Sequence, residues 1–501
     1  MKRRFSWEFL IFILVFIIYS LSNIGGLNSG DQENYALTKA LVEKQTVFID
    51  DFKQFTFDRD YAVTPSGHLA TNRAPGLSLL ATPFYLIGKL LENYSFLPYL
   101  GLNRGINQES ILQTWTYTSA IFFVASSLSL LFLLLKKLST PNWLSIITVF
   151  SLAFATLNWK YSVSFYRHPL IGMSLCLANL LILFFYSYKT KRNFFLALAA
   201  VFLGISLIGD YLSLIPISLI SILLVTLERK VSTLKFYFLA LIPFLVIAMF
   251  YNSVTFGKPL VDPHQYSGYF RFETKIEDNF KTPLLWGVYL NLFSFGRIPP
   301  QAINWALNNK EVYNKYKTYE ATIVPFKGIF VQTPILFFAV WGWFVFFQSQ
   351  KKRGLKKTYI LFPLLTFLSL FIIFSTYTLF WAPTMYDTRH LLVLVPILLL
   401  GLIFLKDSLN NRYIRLLFIL ALVISVYFAF ESQISNFSPN YTGRYRYDIS
   451  QLIEHISQGK ISFALLNIFP NIFNLPMLLL VGSFLYLALV RPLINFLNRK
   501  I

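Results

Sequence analysis

ILQTWTYTSAIFFVASSLSLLFLLLKK, residues 111–137, decides the kind of fold this chain can have. From Ile111 to Leu135 it carries no charge, and it stops at Lys136-Lys137. A bilayer core is filled by about 20 predominantly apolar residues in a helix, whereas a core helix of a soluble domain needs polar positions on its outer face. Phe9 to Leu21, Leu170 to Tyr186, Tyr359 to Phe374 and Leu391 to Leu405 read the same way or nearly so. The whole chain agrees: of 501 residues, 55% are hydrophobic and 13% charged. A soluble domain carries about 25% charged residues, and a soluble chain this long would split into several domains, each with a polar surface to cover. The first run follows Lys2, Arg3 and Arg4 as a signal peptide would. No small-x-small cleavage site follows it, so it is expected as a retained helix.

The apolar periods predict helices near 6–22, 111–135, 142–157, 169–188, 194–209, 211–227, 236–252, 328–349, 358–379, 391–405, 413–430 and 475–492. These make twelve crossings of a single polytopic domain, 1–501, all-α and with both ends inside. The net charge of +21 supports this arrangement. The inner segments hold half of the 44 Lys and Arg but only three of the 23 acids, Glu8, Glu228 and Asp407. That is the positive-inside rule, and it removes the need for a nucleic-acid partner. One apolar stretch, Ala74 to Leu90, must not cross, or every later basic loop would move outside. Pro75, Gly76, Pro83 and Gly88 weaken it as a straight span, and it is expected at the outer interface. The fifth and sixth helices, joined at Gly209-Asp210, form a short hairpin ending at an outer cavity. Cys176, the one cysteine, excludes an intrachain disulfide and reads as a small buried hydrophobe. Asn436 and Asn440 head glycosylation sequons of little weight, and no repeat or Walker-type phosphate loop is present.

Four outer segments are long enough for function: 23–110, 253–327, 380–390 and 431–474. The first is the most acidic, with Asp31, Glu33, Glu43, Asp50, Asp51, Asp58 and Asp60. Most of these are expected as solvated loop acids. Asp31 differs by following Gly30 close to the end of the first helix, where a carboxylate can act as a base or hold a metal. The five histidines, His68, His168, His264, His390 and His455, all fall outside. Arg167-His168-Pro169 and Arg389-His390 each open a helix. There, free backbone N–H groups and the cations favour an anion, although Arg side chains at such a depth also simply snorkel to the headgroups. Asp210 is too short to snorkel. The resulting expectation is an outward cavity with first-loop acids and later cations, suited to a phosphate with a polar group beside it. These residues alone leave transferase and transporter both open.

Several motifs in order carry a resemblance. They are Ser29-Gly30-Asp31-Gln32-x-x-Tyr35, Asn72-Arg73-Ala74-Pro75-Gly76-Leu77, Tyr251-Asn252-x-x-x-Phe256-Gly257-x-Pro259, Gly328-Ile329-Phe330-x-x-x-Pro334 and Tyr386-Asp387-Thr388-Arg389-His390. In these the chain resembles the GT-C superfamily of polytopic glycosyltransferases, in the branch of protein O-mannosyltransferases and aminoarabinose transferases that use polyprenyl-phosphate sugars. The resemblance implies a sugar transfer to a lipid, glycan or protein acceptor at the outer face, in a bacterial inner membrane. Asp31 would be the catalytic acid of the first loop, with or without a divalent metal ion. Arg389 would meet the donor phosphate, with His390, His168, Arg167, Asp210 and Arg73 as further candidates for that site. His168 stands where relatives carry an acid, which weakens the usual metal site. The large soluble domain and sequon-binding motif of the oligosaccharyltransferase branch find no match, so N-glycosylation is disfavoured. The alternative is a lipid or polysaccharide transporter, or a surface-glycan polymerase. A transporter is expected to show broken helices, and none is evident from sequence.

Overall fold

A computed structural model describes residues 6–23, 32–56, 60–92, 108–188, 192–228, 231–268, 280, 282–294, 328–348, 360–377 and 388–434. Asp31, Asp58, His455, both sequons and the expected helix at 475–492 lie outside the described residues. Among the described residues the fold is all-α apart from one small hairpin, and it is that of an integral membrane protein. Among the described residues five helices are long and apolar enough to cross a membrane: Ile111–Lys137, Arg167–Ser187, Arg192–Gly209, Ser232–Phe256 and Arg412–Phe430. Shorter apolar helices accompany them.

In chain order, α1 is Trp7–Leu21, α2 Gln32–Glu43, α3 Gly76–Glu92, α4 Gln108–Lys137, α5 Asn142–Phe154, α6 Asn158–Val163, α7 Arg167–Ser187, α8 Arg192–Gly209, α9 Leu214–Leu227 and α10 Val231–Phe256. There follow α11 Leu284–Phe293, α12 Ile329–Gln332, α13 Ile335–Gln348, α14 Leu361–Thr376, α15 Val395–Leu399 and α16 Arg412–Ile434. Strands β1 (Ala62–Val63) and β2 (Leu69–Ala70) pair antiparallel. Helix α7 is the centre: its residues 167–185 are all buried, and α4, α8 and the segment 389–393 pack around it. Its composition allows this, because small and amide residues replace bulk where neighbours approach. Asn179 donates to Thr366 Oγ1 of α14 at 3.2 Å, an interhelical bond of the kind that holds membrane helices together. By contrast α10 and α16 turn Leu239, Val246, Phe250, Leu416 and Leu420 outward, where lipid would meet them.

The stretch expected at the interface is one helix, α3. Leu77, Ala81, Tyr85 and Gly88 recur at helical spacing and are buried, with α2 and α4 against the helix. Its exposed positions include Leu79, Leu86, Leu90 and Leu91, so an apolar surface is left outside.

Four elements depart from the sequence reading. Helix α2 lies within the first loop, and α11 lies within 253–327, both taken there as loop. The tenth helix is not a single α-helix. Residues 389–393 and 400–404 are 3-10 turns flanking α15, and Pro396 and Gly401 sit in this run. The eighth is also interrupted, at Thr333-Pro334 between α12 and α13, so broken helices are present after all. The N–H of Ile335, freed by the break, donates to Ser425 Oγ at 3.0 Å.

The contact between α13 and residues 400–404 depends on two glycines. A Cβ on Gly401 would stand 2.0 Å from the carbonyl oxygen of Ala339, and one on Gly342 would stand 1.9 Å from that of Gly401. Backbone must move to admit either. Gly401→Val is therefore expected to destabilise the protein by about 1–3 kcal/mol or more. Thermal unfolding in detergent checks this: a melting curve equal to wild type would contradict the close packing.

Candidate functional site

Two more glycine contacts assemble the cationic centre. A Cβ on Gly76 would lie 2.6 Å from the backbone of Ile208, so the start of α3 is pressed against the end of α8. A Cβ on Gly172 would lie 3.0 Å from the carbonyl oxygen of Val393, so the first turns of α7 meet the segment 389–393. These approaches bring together Arg73 before α3, Asp210 after α8, Arg167 and His168 on α7, and Arg389 and His390.

The Arg167 Nε donates to Asp210 Oδ2 at 3.1 Å, and the pair is largely buried. Asp210 also caps the 3-10 turn 211–213, accepting from Leu212 N at 3.0 Å. Arg167 is therefore held by a carboxylate rather than snorkelling. The Arg389 guanidinium lies over the Tyr166 ring at 5.4 Å. Its Nη1 is 3.5 Å from the Tyr166 hydroxyl. The His168 and His390 rings meet edge to face at 5.6 Å. Desolvation pushes the His390 ring well below its ordinary range, and the charges of Arg389, Arg167 and Arg73 push it the same way. A neutral imidazole among three guanidinium groups can donate or accept a hydrogen bond without adding charge. Arg389 and His390 open a 3-10 turn, 389–393, rather than an α-helix.

The first loop contributes a residue that sequence reasoning left among the solvated acids. Glu33 is fully buried, and its Oε1 accepts from Arg73 Nε at 3.0 Å. Glu43 is also engaged, accepting from Tyr85 OH at 2.6 Å. Asp50 and Asp51 do lie at the surface, beside His68 and Lys44 at 3.2 and 3.3 Å. The spacing of Glu33 from the Asn72-Arg73 motif gave no hint of the pairing; only the turn of α2 after Asp31 brings them together. A second residue missed is His264. Arg73 Nη1 donates to its Nε2, and its Nδ1 lies 2.9 Å from Asp262 Oδ1.

Among the described residues no three His, Cys, Asp or Glu side chains come together as a ligand set for a metal ion. Glu33 is committed to Arg73, and His264 to Asp262 and Arg73. Among the described residues the donor set fits an anion better than a divalent cation, and Asp31 lies outside them.

No family model matches this chain, and no curated protein matches it. Among solved structures, the apo oligosaccharyltransferase of Archaeoglobus fulgidus is 11% identical with a TM-score of 0.47, covering 91% of this chain and 59% of its own. The same enzyme with zinc and sulfate is 14% identical at a TM-score of 0.45, over 89% and 55%. The archaeal oligosaccharyltransferase from that organism with an inhibitory peptide and a dolichol-phosphate is 12% identical at 0.45, over 90% and 58%. This chain thus spans well under two thirds of the length of each. Likeness at this level assigns neither family nor activity, which have to be argued from the residues of this chain.

Proposed function

We propose that this protein is a membrane glycosyltransferase of the GT-C superfamily that takes one sugar from a polyprenyl-phosphate donor. The observation that carries the proposal is the convergence of Arg73, Arg167 and Arg389 on the His168–His390 pair. Three separate parts of the chain contribute to it, and the order of motifs around them is the one that resembles the family. Three guanidinium groups beside neutral imidazoles suit a singly charged phosphodiester embedded in lipid. In the reaction, the acceptor oxygen bonds to the anomeric carbon as the bond from that carbon to the phosphate oxygen breaks. Asp31 receives the acceptor's proton, and the arginines meet the charge that grows on the departing polyprenyl phosphate. Asp210 and Glu33 position Arg167 and Arg73. The acceptor is a lipid, glycan or protein, and the site faces the outer side of a bacterial inner membrane.

The interrupted helices favour a second reading, a transporter of lipid-linked sugar, since broken helices line substrate paths in many transporters. Proteoliposomes loaded with radiolabelled polyprenyl-phosphate sugar separate the two. The transferase reading expects label on an added membrane acceptor fraction, and movement between leaflets without transfer would replace it.

Orientation is tested separately. With Cys176 replaced by Ser, Ser66→Cys on the hairpin loop is expected to react with an impermeant thiol reagent in intact cells, and Asn410→Cys is not. Both positions are exposed in the fold. The expectation rests on the charge asymmetry of the segments. Labelling at 410 alone would invert the protein.

A further inference from the structure

The segment after α10 ends beside the donor arginine, and its path is built in. Gly257 takes φ +73°, a left-handed turn that suits glycine. Asn252 on α10 then holds the returning chain: its Nδ2 donates to the Val261 carbonyl oxygen at 3.1 Å, and its Oδ1 accepts from Tyr211 OH at 3.0 Å. The segment is stitched to the first loop as well, where Gly268 N donates to the Tyr61 carbonyl oxygen at 3.0 Å. Between these two anchors lie Asp262 and His264. Asp262 accepts from the His264 backbone N–H at 3.1 Å and faces its Nδ1 at 2.9 Å. Burial acts to raise the Asp262 carboxyl, but the bonds from His264 and the charge of Arg73 prevail and hold it below its ordinary range, so it stays ionised.

The chemistry of the next contact fixes the state of the ring. Arginine has five N–H donors and no acceptor. The His264 nitrogen facing Arg73 Nη1 must therefore accept, which makes Nε2 the unprotonated nitrogen and places the one ring proton on Nδ1, where Asp262 takes it. On its other side the same guanidinium donates through Nε to Glu33. Arg73 is thus gripped in its own plane by two acceptors from distant parts of the chain.

We propose that His264, oriented by Asp262, is a positioning residue that aims the Arg73 guanidinium at the donor phosphate, and that it does so only as the neutral imidazole. The inference rests on the donor-site reading above. Protonation would put a second N–H against the guanidinium and turn an attraction into a repulsion. The charged and titratable groups around the ring are Asp262 on its own segment, Arg73 before α3 and Glu33 behind it, with the Tyr211 phenol and Asp210 beyond Asp262. His264 and Arg73 hold Asp262 ionised, and Glu33 is bound to the far side of the same guanidinium.

The test is binding of geranylgeranyl methyl phosphate, a phosphodiester whose single charge does not change across the range, to the full chain in nanodiscs. The dissociation constant is measured from about pH 8 to about pH 5.5, the span in which an imidazole titrates. In wild type it is expected to rise about five- to tenfold toward acid, the scale of one hydrogen bond from a charged donor. His264→Gln keeps an acceptor near the Nε2 position and cannot titrate; its constant should stay flat and within about twofold of wild type at the alkaline end, a lost fraction of one hydrogen bond. Arg73→Ala should bind weakly at every pH. A flat wild-type profile, or an equal acid rise in His264→Gln, overturns the role of His264 while Arg73→Ala still binds weakly. Unchanged binding by Arg73→Ala overturns the donor site itself.

Discussion

Asp31→Asn, made in the full chain and compared at equal expression, is expected to lower sugar transfer by about 10²- to 10⁴-fold, the usual cost of removing a general base. The substitution keeps the size of the side chain and removes its charge. Asp31 directly precedes α2, whose second residue, Glu33, reaches Arg73. Asp50→Asn and Asp51→Asn are the controls, because both residues stand at the surface beside His68 and Lys44 and should retain near-normal rates. Donor binding should also survive in Asp31→Asn, which separates loss of chemistry from loss of the site. Near-normal transfer by Asp31→Asn would end its catalytic assignment.

The second large effect is expected at Arg389. Its guanidinium lies over the Tyr166 ring, and as a ligand of the donor phosphate it would offer a planar fork to two phosphate oxygens. Lysine keeps the charge and loses both the fork and the stacking surface. Arg389→Lys is expected to weaken donor affinity by about 1–3 kcal/mol, the range for a hydrogen bond to a charged group, and Arg389→Ala by at least as much. A residue that merely anchors a helix among headgroups would tolerate lysine. Equal donor affinity in wild type and both variants would leave Arg389 as such an anchor.

What the sequence made legible follows from what hydropathy measures, the transfer of a local stretch from water to lipid. That property belongs to neighbours in the chain, so α1, α4, α7, α8, α10 and α16 fall close to their expected places. Parity of charge likewise kept Ala74 to Leu90 apart as a helix of its own kind. The same measure is blind to α2, whose Gln32, Glu33, Asn34 and Thr38 are polar yet buried under its neighbours. It is blind, too, to the difference between an α-helix and the 3-10 turns at 389–393 and 400–404, which have the same composition as a span. Site residues divide in the same way. Arg167, His168, Asp210, Arg389 and His390 stood out as candidates because cations and a short acid are conspicuous at the ends of apolar runs, and Arg73 only through the motif that carries the resemblance. Their partners were not. Glu33 meets Arg73 across 40 positions and His264 meets it across 191, and no local pattern encodes such distances. The close approaches at Gly76 and Gly172 are what convert a list of charged residues into one cluster.

The ion pair of Arg167 and Asp210 also dictates an order of assembly. Arg167 opens α7 and Asp210 follows α8, so the carboxylate is synthesised 43 residues after the cation it neutralises. A buried arginine without its partner is costly in a hydrocarbon setting. Until α8 has emerged, Arg167 lacks that partner, which favours insertion of α7 and α8 as one hairpin.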